Sequence, residues 1–324
     1  MSAMNLRFTL AIILLALSVP AQAEQPAKIP RIGILRPGAP PDSSIEGFRQ
    51  GLRELGYVEG RNIFLEYRWV DRDDRLSELA RELVQLKVDV ILTGSTPATV
   101  AAKEVTHSIP IVFGAVSDPI GVGLVSSLQH PGGNMTGMSL LAPELWPKRL
   151  ELLRETVPKL SRVAMLWNRS NPGMAARAKE TQDAARRMGV AVQDRGAKDS
   201  DELETVFSTI SNDRPDALLT MLDPFTTRHL QHIVDFTATT RVPGMYEERR
   251  FVEAGGLMSY GPNVANLYRR AAMYVDKILK GAKPADLPVQ QPMNFELFLN
   301  LKTANALNLA IPESVVFRAD KVIR

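Results

Sequence analysis

Arg36, Ser95, Thr96, Ser117, Asp118, Asn168, Asp223, Tyr246, Glu248 and Tyr260 share one property. Each stands at or just past the end of a short, apolar, β-rich run. In an open parallel sheet, ligands settle beyond the carboxyl ends of strands, where loops enter helices whose first N–H groups lack intrahelical partners. The chemistry these residue types offer there is recognition without a covalent step. A guanidinium such as that of Arg36 grips a carboxylate through two parallel bonds. Ser95 or Thr96 before Pro97 reads as an N-cap followed by a first-turn proline, which gathers hydroxyl and backbone N–H groups at one point and suits an anion. Asp118 and Asp223, each before a proline, suit an ammonium instead, and Tyr246, Tyr260 and Trp167 suit the apolar wall of a pocket. A hydroxyl or carboxylate before proline also serves simply as a cap, and Trp167, at the end of its run, fits a core equally well.

Other chemistries find little support. With no cysteine in the chain there are no thiol nucleophiles, thiolate metal sites or disulfides. His229 and His232 lie three apart on a helical stretch, but no acidic residue or third histidine accompanies them, so no metal site is expected. Gly121-Val122-Gly123 lacks the third glycine and the leading strand of a dinucleotide fingerprint. No nucleophile elbow, paired-histidine zinc motif or phosphate loop occurs. The run from Asp71 to Arg75 reads as a solvated turn and helix cap. An enzyme is therefore not expected, nor is a cofactor.

Such residues need elements to hold them in place. After about residue 30 the chain alternates apolar strand, turn and amphipathic helix, the signature of βαβ units and a parallel sheet. Strands are expected at 32–35, 63–67, 88–92, 111–113 and 135–138, with helices at 43–55, 75–86, 98–105 and 121–128. A helix at 143–155 opens a second series. Its strands are expected at 162–167, 190–193, 217–220, 242–246 and 257–260, with helices at 173–188, 201–211, 225–239 and 265–279.

The two series repeat one another. Shifted by 127 positions, Asp89 falls on Asp216, Thr93 on Thr220, Pro97 on Pro224 and Thr99 on Thr226. RIGILRPG at 31–38 parallels RVAMLWNR at 162–169, and GGNMTGMS at 132–139 parallels GGLMSYG at 255–261. The expectation is an α/β chain of two similar lobes, each a parallel sheet flanked by helices, joined by a multi-strand hinge. Residues 30–141 with about 263–291 would form the N-terminal lobe, and 142–262 with about 292–324 the C-terminal lobe and hinge tail. Stretches near 140–145 and 260–264 would be crossovers, and helix 265–279 would return to the first lobe.

The whole chain has 324 residues, 45% hydrophobic and 23% charged, a length that suggests two domains. Its net charge of +3 is spread without clusters, which argues against a nucleic-acid surface. Arg7, the apolar stretch 8–19 and the small residues Ala21-Gln22-Ala23 describe a signal peptide over 1–23, cut after Ala23. That stretch falls short of the roughly 20 residues that a bilayer span needs. An exported chain with no cysteine for a lipid anchor points to the periplasm.

Together these features resemble the periplasmic substrate-binding proteins of ABC transporters with the type I two-lobed fold. Within them the chain is similar to the branch of tryptophan- and tyrosine-binding components. The resemblance is carried by RIGILRPGAPPDSSIEGFRQGLRELGYVEGRNI, VDVILTGSTPATVAAKE, IPIVFGAVSDPIGVGLVSSLQHPGGNMTG, ELWPKRLELLRETVP, ERRFVEAGGLMSYGPN and PADLPVQQPMNFELFLNLKTANALNLAIP. It implies a three-crossover hinge, a small-molecule ligand between the lobes, and membrane permease and ATPase subunits as partners of a monomer. Carried over by residue, it points to Ser95-Thr96, Ser117-Asp118, Asn168, Asp223 and Glu248. The loop Arg36-Pro37-Gly38-Ala39-Pro40-Pro41 departs from that of the aromatic-amino-acid binders, which points away from an aromatic ligand. The expected function is capture of an amino acid or another carboxylate-bearing compound for an importer. The alternative is a ligand-sensing subunit for a membrane receptor or kinase. A DNA-binding regulator with similar lobes would need a helix-turn-helix where this chain has its signal peptide.

Overall fold

The computed structural model describes residues 28–40, 42–71, 73–140 and 145–324. The expected signal peptide, and most of the crossover expected at 140–145, lie outside them. A first sheet holds β1 (Arg31–Pro37), β2 (Phe64–Val70), β3 (Val90–Thr93), β4 (Ile111–Val116) and β5 (Met135–Ser139). All are parallel, in the order β2-β1-β3-β4-β5. Helices α1 (Ser43–Glu54), α2 (Leu76–Gln85) and α3 (Thr96–Val105) connect them. Every residue of β3 and β4 is buried, as expected of strands covered on both faces.

Helix α4 (Leu145–Thr156) then leads into β6 (Arg162–Asn168), α5 (Met174–Arg187), β7 (Ala191–Ala197) and α6 (Ser200–Asp213). The chain continues through β8 (Ala217–Thr220), α7 (Pro224–Arg228), α8 (Leu230–Thr240), β9 (Gly244–Tyr246), α9 (Arg249–Glu253) and β10 (Met258–Pro262). The second sheet has the order β7-β6-β8-β9-β10, the same pattern as the first. Beyond β10 it gains the antiparallel β11 (Phe295–Asn300) and then β12 (Lys321–Ile323).

The 127-residue repeat now has a physical basis. The Asp89 carboxylate accepts the Arg31 N–H at 2.8 Å, and the Asp216 carboxylate accepts the Arg162 N–H at 2.8 Å. Each aspartate pins the start of a lobe's first strand to the start of the strand beside it. At the other end, Ser95 caps α3 and Asp223 caps α7, each followed by a first-turn proline.

The chain does not finish one lobe before starting the other. Helix α10 (Val264–Leu279) follows β10 but buries Leu267, Tyr268, Ala271 and Val275 among Ile32, Ile34, Phe48 and Leu92 of the first lobe. It crosses α1 so closely that a Cβ on Gly47 would sit 2.2 Å from the Ala265 carbonyl oxygen. Gln290 then bonds to β5, accepting from Ser139 N–H and donating to the Gly137 carbonyl. Leu297, Leu299 and Val315 complete the core of the second lobe around Trp146, Met165 and Leu219. Helices α11 (Leu301–Ala306) and α12 (Glu313–Arg318) join that lobe.

Two expected elements differ. Residues 121–128 form turns and bends rather than a helix. Gly123 has φ +68°, and the Val122 N–H bonds back to the Asp118 carbonyl, so the apolar spacing there belongs to a tight loop. The helix expected at 225–239 is two helices, because His229 caps α7 and opens α8 with non-helical dihedrals.

Candidate functional site

The carboxyl ends of β1, β3 and β4 face those of β6, β8 and β9 across a cavity of about 290 Å³. That lies near the small end of the roughly 300–1,000 Å³ range of ligand pockets. The first lobe contributes Arg36, Ser95, Thr96 and Ser117; the second contributes Asn171, Asp223, Arg228, Glu248 and Arg250. Small apolar residues such as Pro37, Ala115, Leu140 and Leu222 fill the wall between them, and Tyr268 of α10 is its aromatic member.

Each polar group is positioned by local structure. Ser95 is extended and its hydroxyl accepts the Ala98 N–H at 3.3 Å, which sets α3 with its amino end at the cavity. The Thr96 hydroxyl accepts the Ser117 N–H at 3.2 Å and ties the β3 and β4 loops together. The two oxygens of Asp223 accept from the Asn168 amide (2.9 Å), the Phe225 N–H (2.7 Å) and the Asn171 amide (2.6 Å). Glu248 holds Arg250 through both oxygens, with Oε2 2.8 Å from Nη2.

Arg36 has acquired partners of its own. Its Nε and Nη2 lie 2.9 and 2.8 Å from Asp42 Oδ2, Nη1 donates to the Tyr268 hydroxyl, and the guanidinium carbon sits 4.9 Å from that ring's centroid. The fork that could grip a ligand carboxylate is thus occupied by Asp42. Burial pushes the Tyr268 hydroxyl up to about 12 against the pull of Arg36, so it stays protonated. For Asp42, burial opposes ionisation, but Arg36 and the Ile45 and Ser44 N–H groups outweigh it and hold the carboxyl below its ordinary value of 3.8.

Not every residue nominated from the sequence reaches the cavity. Asp118 spends its carboxylate on the Gly121 N–H, 2.8 Å away, shaping the loop behind Ser117. Asn168 sits behind the wall, holding Asp223. Tyr246 is wholly buried in the second-lobe core, stacked on Phe251 at 4.7 Å, with its hydroxyl 3.1 Å from Thr237 and raised by burial to about 12. Tyr260 packs on Phe295, and its carbonyl accepts from Arg149. Trp167 bonds to Asp194 at 2.8 Å. These aromatic side chains project from strand faces, whereas the cavity is built from the loops beyond the strand ends. His229 and His232 meet Ser200 and Glu204 respectively. Among the described residues, no group of three or more metal-ligating side chains comes together.

Residues 38–323 match the model of the ABC transporter substrate binding protein family. The chain belongs to that family. This substrate-binding protein is 28% identical over 270 residues to a tyrosine-binding protein of Clostridioides difficile, a match covering 83% of this chain and 77% of that one. A solved structure described as an ABC domain in complex with L-Trp, from Streptococcus pneumonia, is 26% identical with a TM-score of 0.86, covering 91% of this chain and 99% of the other. A substrate binding protein with adhesive properties from Clostridium difficile, solved in its ligand-free, open structure, is also 26% identical over 91% and 99% of the two chains, with a TM-score of 0.68. The fold is that of the type I periplasmic binding proteins. Among the described residues, no helix is long and apolar enough to cross a membrane.

Asp42, Tyr268, Arg228 and Arg250 line the cleft of this substrate-binding protein and went unread in its sequence, whereas Asn171 stands in the loop after the 162–167 strand that the strand-end reading covers. Asp42 had a signal, an Asp directly before Ser43-Ser44 at a helix start. Tyr268 had none, because 232 residues separate it from Arg36. Replacing Asp42 by asparagine keeps the cap but removes the counter-charge of Arg36, and should cost about 2 kcal/mol at neutral pH. A carboxyl depressed on folding contributes stability above its ordinary value and loses it as pH falls through the lower folded one. Urea titrations of the two proteins should therefore differ at pH 7 and converge below pH 3.8. A constant gap across pH would remove Asp42 as an ionised partner.

Proposed function

We propose that this protein is the exported, periplasmic solute-binding component of an ABC importer, which captures a small amino acid or related carboxylate-bearing ligand by closing two lobes around it. The observation that carries this reading is the cavity between opposed sheet edges, with Ser95 and Thr96 at the amino end of α3 among its lining. The moving bodies would be residues 30–141 with 263–291, and 142–262 with 292–324. At equal identity, the chain fits the relative holding L-Trp better than the open, ligand-free one, which supports a closing motion. Ser95, Thr96, Ser117 and Asp223 would contact the ligand, with Arg36 and Glu248 as parts of the paired charges that frame it. The closed form would dock on permease and ATPase subunits, and a monomer suffices for that. Recognition of this kind needs no covalent step.

The names of the relatives make L-tyrosine and L-tryptophan the first compounds to try, followed by the remaining amino acids and small carboxylic acids. A ligand present at 100 times its Kd adds roughly 2.7 kcal/mol to folding stability. A thermal-shift panel on the mature protein should therefore pick out one compound or one narrow group. A flat response across the panel would sink the amino-acid reading.

A further inference from the structure

We propose that Arg228 selects for ligands with a free carboxylate, acting from the second lobe on a group the first lobe holds by hydrogen bonds alone. The inference rests on the cleft being the ligand site. Among the described residues, three guanidinium groups line that cleft, those of Arg36, Arg228 and Arg250. The Arg36 fork is closed by Asp42, and that of Arg250 by both oxygens of Glu248. Arg228 ends α7 exposed, and among the described residues it has neither an ion pair nor a side-chain hydrogen bond.

Among the described residues, the opposite wall offers no unpaired cation of its own. Ser95 and Thr96 offer hydroxyl and amide groups at the amino end of α3, a neutral cradle with only a helix dipole's partial charge. A carboxylate seated there gains a full counter-charge only when the second lobe brings Arg228 over it. One anionic group would then be held from both lobes, so that binding and closure favour each other. Arginine suits this role because its planar fork matches a carboxylate and stays charged. A long side chain at the end of a short helix can also be merely solvated, and the experiment separates the two.

The probes are L-tyrosine, L-tryptophan and the other common L-amino acids, each paired with its carboxamide. They are titrated calorimetrically into the mature wild-type protein and the Arg228→Ala and Arg228→Lys variants. Wild type should bind the acid at least roughly tenfold more tightly than the amide. Arg228→Ala should lose roughly tenfold or more for the acid and no longer distinguish the pair, and Arg228→Lys should recover part of the loss. The ligand-free melting temperatures should change little, since among the described residues no ion pair or side-chain hydrogen bond involves the Arg228 side chain. If wild type prefers the acid and Arg228→Ala binds it equally well, this inference is overturned while the capture reading stands. If wild type binds no acid in the set, both fall.

Discussion

Replacing Glu247 by alanine should lower stability by about 3–5 kcal/mol, the usual effect of removing one member of a buried ion pair. Glu247 follows β9 and is 2% exposed; Arg149 of α4 and Arg177 of α5 are 1% and 6% exposed. Its oxygens lie 3.4 Å from Arg149 Nη1 and 2.6 Å from Arg177 Nη2, so one carboxylate serves two guanidinium groups. The Trp146 ring lies within 4.4 Å of one and 5.6 Å of the other, a contact worth far less than a counter-ion. Burial already holds Arg149 down to about 10 while Glu247 pulls it upward. Without Glu247, two cations face each other in a space water does not reach. Replacing all three together by apolar residues should recover most of the loss, because no charge is then left buried. Urea midpoints of the single and triple variants check this. A single-variant loss below about 1 kcal/mol would show that the cluster is hydrated.

The second large effect separates closure from folding. Gly173, at the entrance to α5, has φ −78° and ψ −2°, dihedrals that any residue accepts. A Cβ there would meet Thr96 Oγ1 at 3.0 Å and Ser117 Cβ at 3.3 Å, both in the opposite lobe. Arg177, one turn further on, also reaches Ser117 Oγ at 3.4 Å. Leucine at position 173 should therefore act as a wedge that penalises only the closed arrangement. Overpacking of this kind costs about 1–3 kcal/mol, which converts to roughly a five- to 150-fold loss of ligand affinity. Alanine should give a smaller loss. Melting of the ligand-free protein should hardly change, because on the proposed closure the open molecule makes no contact there. Full affinity in the leucine variant would remove the tight approach of α5 from the binding event. A collapse of ligand-free stability would show that Gly173 serves the second lobe's own fold.

How much of this was legible depends on where each signal lay. Asp89, Pro97 and Thr99 recur at Asp216, Pro224 and Thr226 because the same strand start and helix start are built twice, so both lobes could be read from short-range pattern. The helix caps Ser95 and Asp223 were equally local. Strand and loop order then nominated the cleft, since ligands gather at carboxyl ends. Tyr246 and Tyr260 were misplaced for a physical reason. The strand of Tyr246 is buried throughout, and in that of Tyr260 only Tyr260 itself is partly exposed, so no polar alternation marks which way a side chain points. Arg36 lines the cleft, but its engagement with Tyr268 depends on α10 returning from the far end of the chain. The Glu247 cluster joins α4, α5 and the end of β9, across separations of 98 and 70 residues. Nothing local announces such a meeting. The turn at 121–128 imitated a helix because its apolar residues tuck under a loop at similar spacing.

The central claim is that two bodies move together around a bound molecule. The chain has no cysteine, so a fluorescent pair can be placed with no competing native thiol: Gln85→Cys at the exposed end of α2, and Thr205→Cys on the exposed face of α6. Single-molecule energy transfer between the two labels reads the distance across the lobes. With saturating amino acid, chosen as the one that raises the melting temperature, the broad ligand-free distribution should collapse to one narrower state at a shifted, fixed distance. A distribution that the bound ligand leaves unaltered would contradict the account.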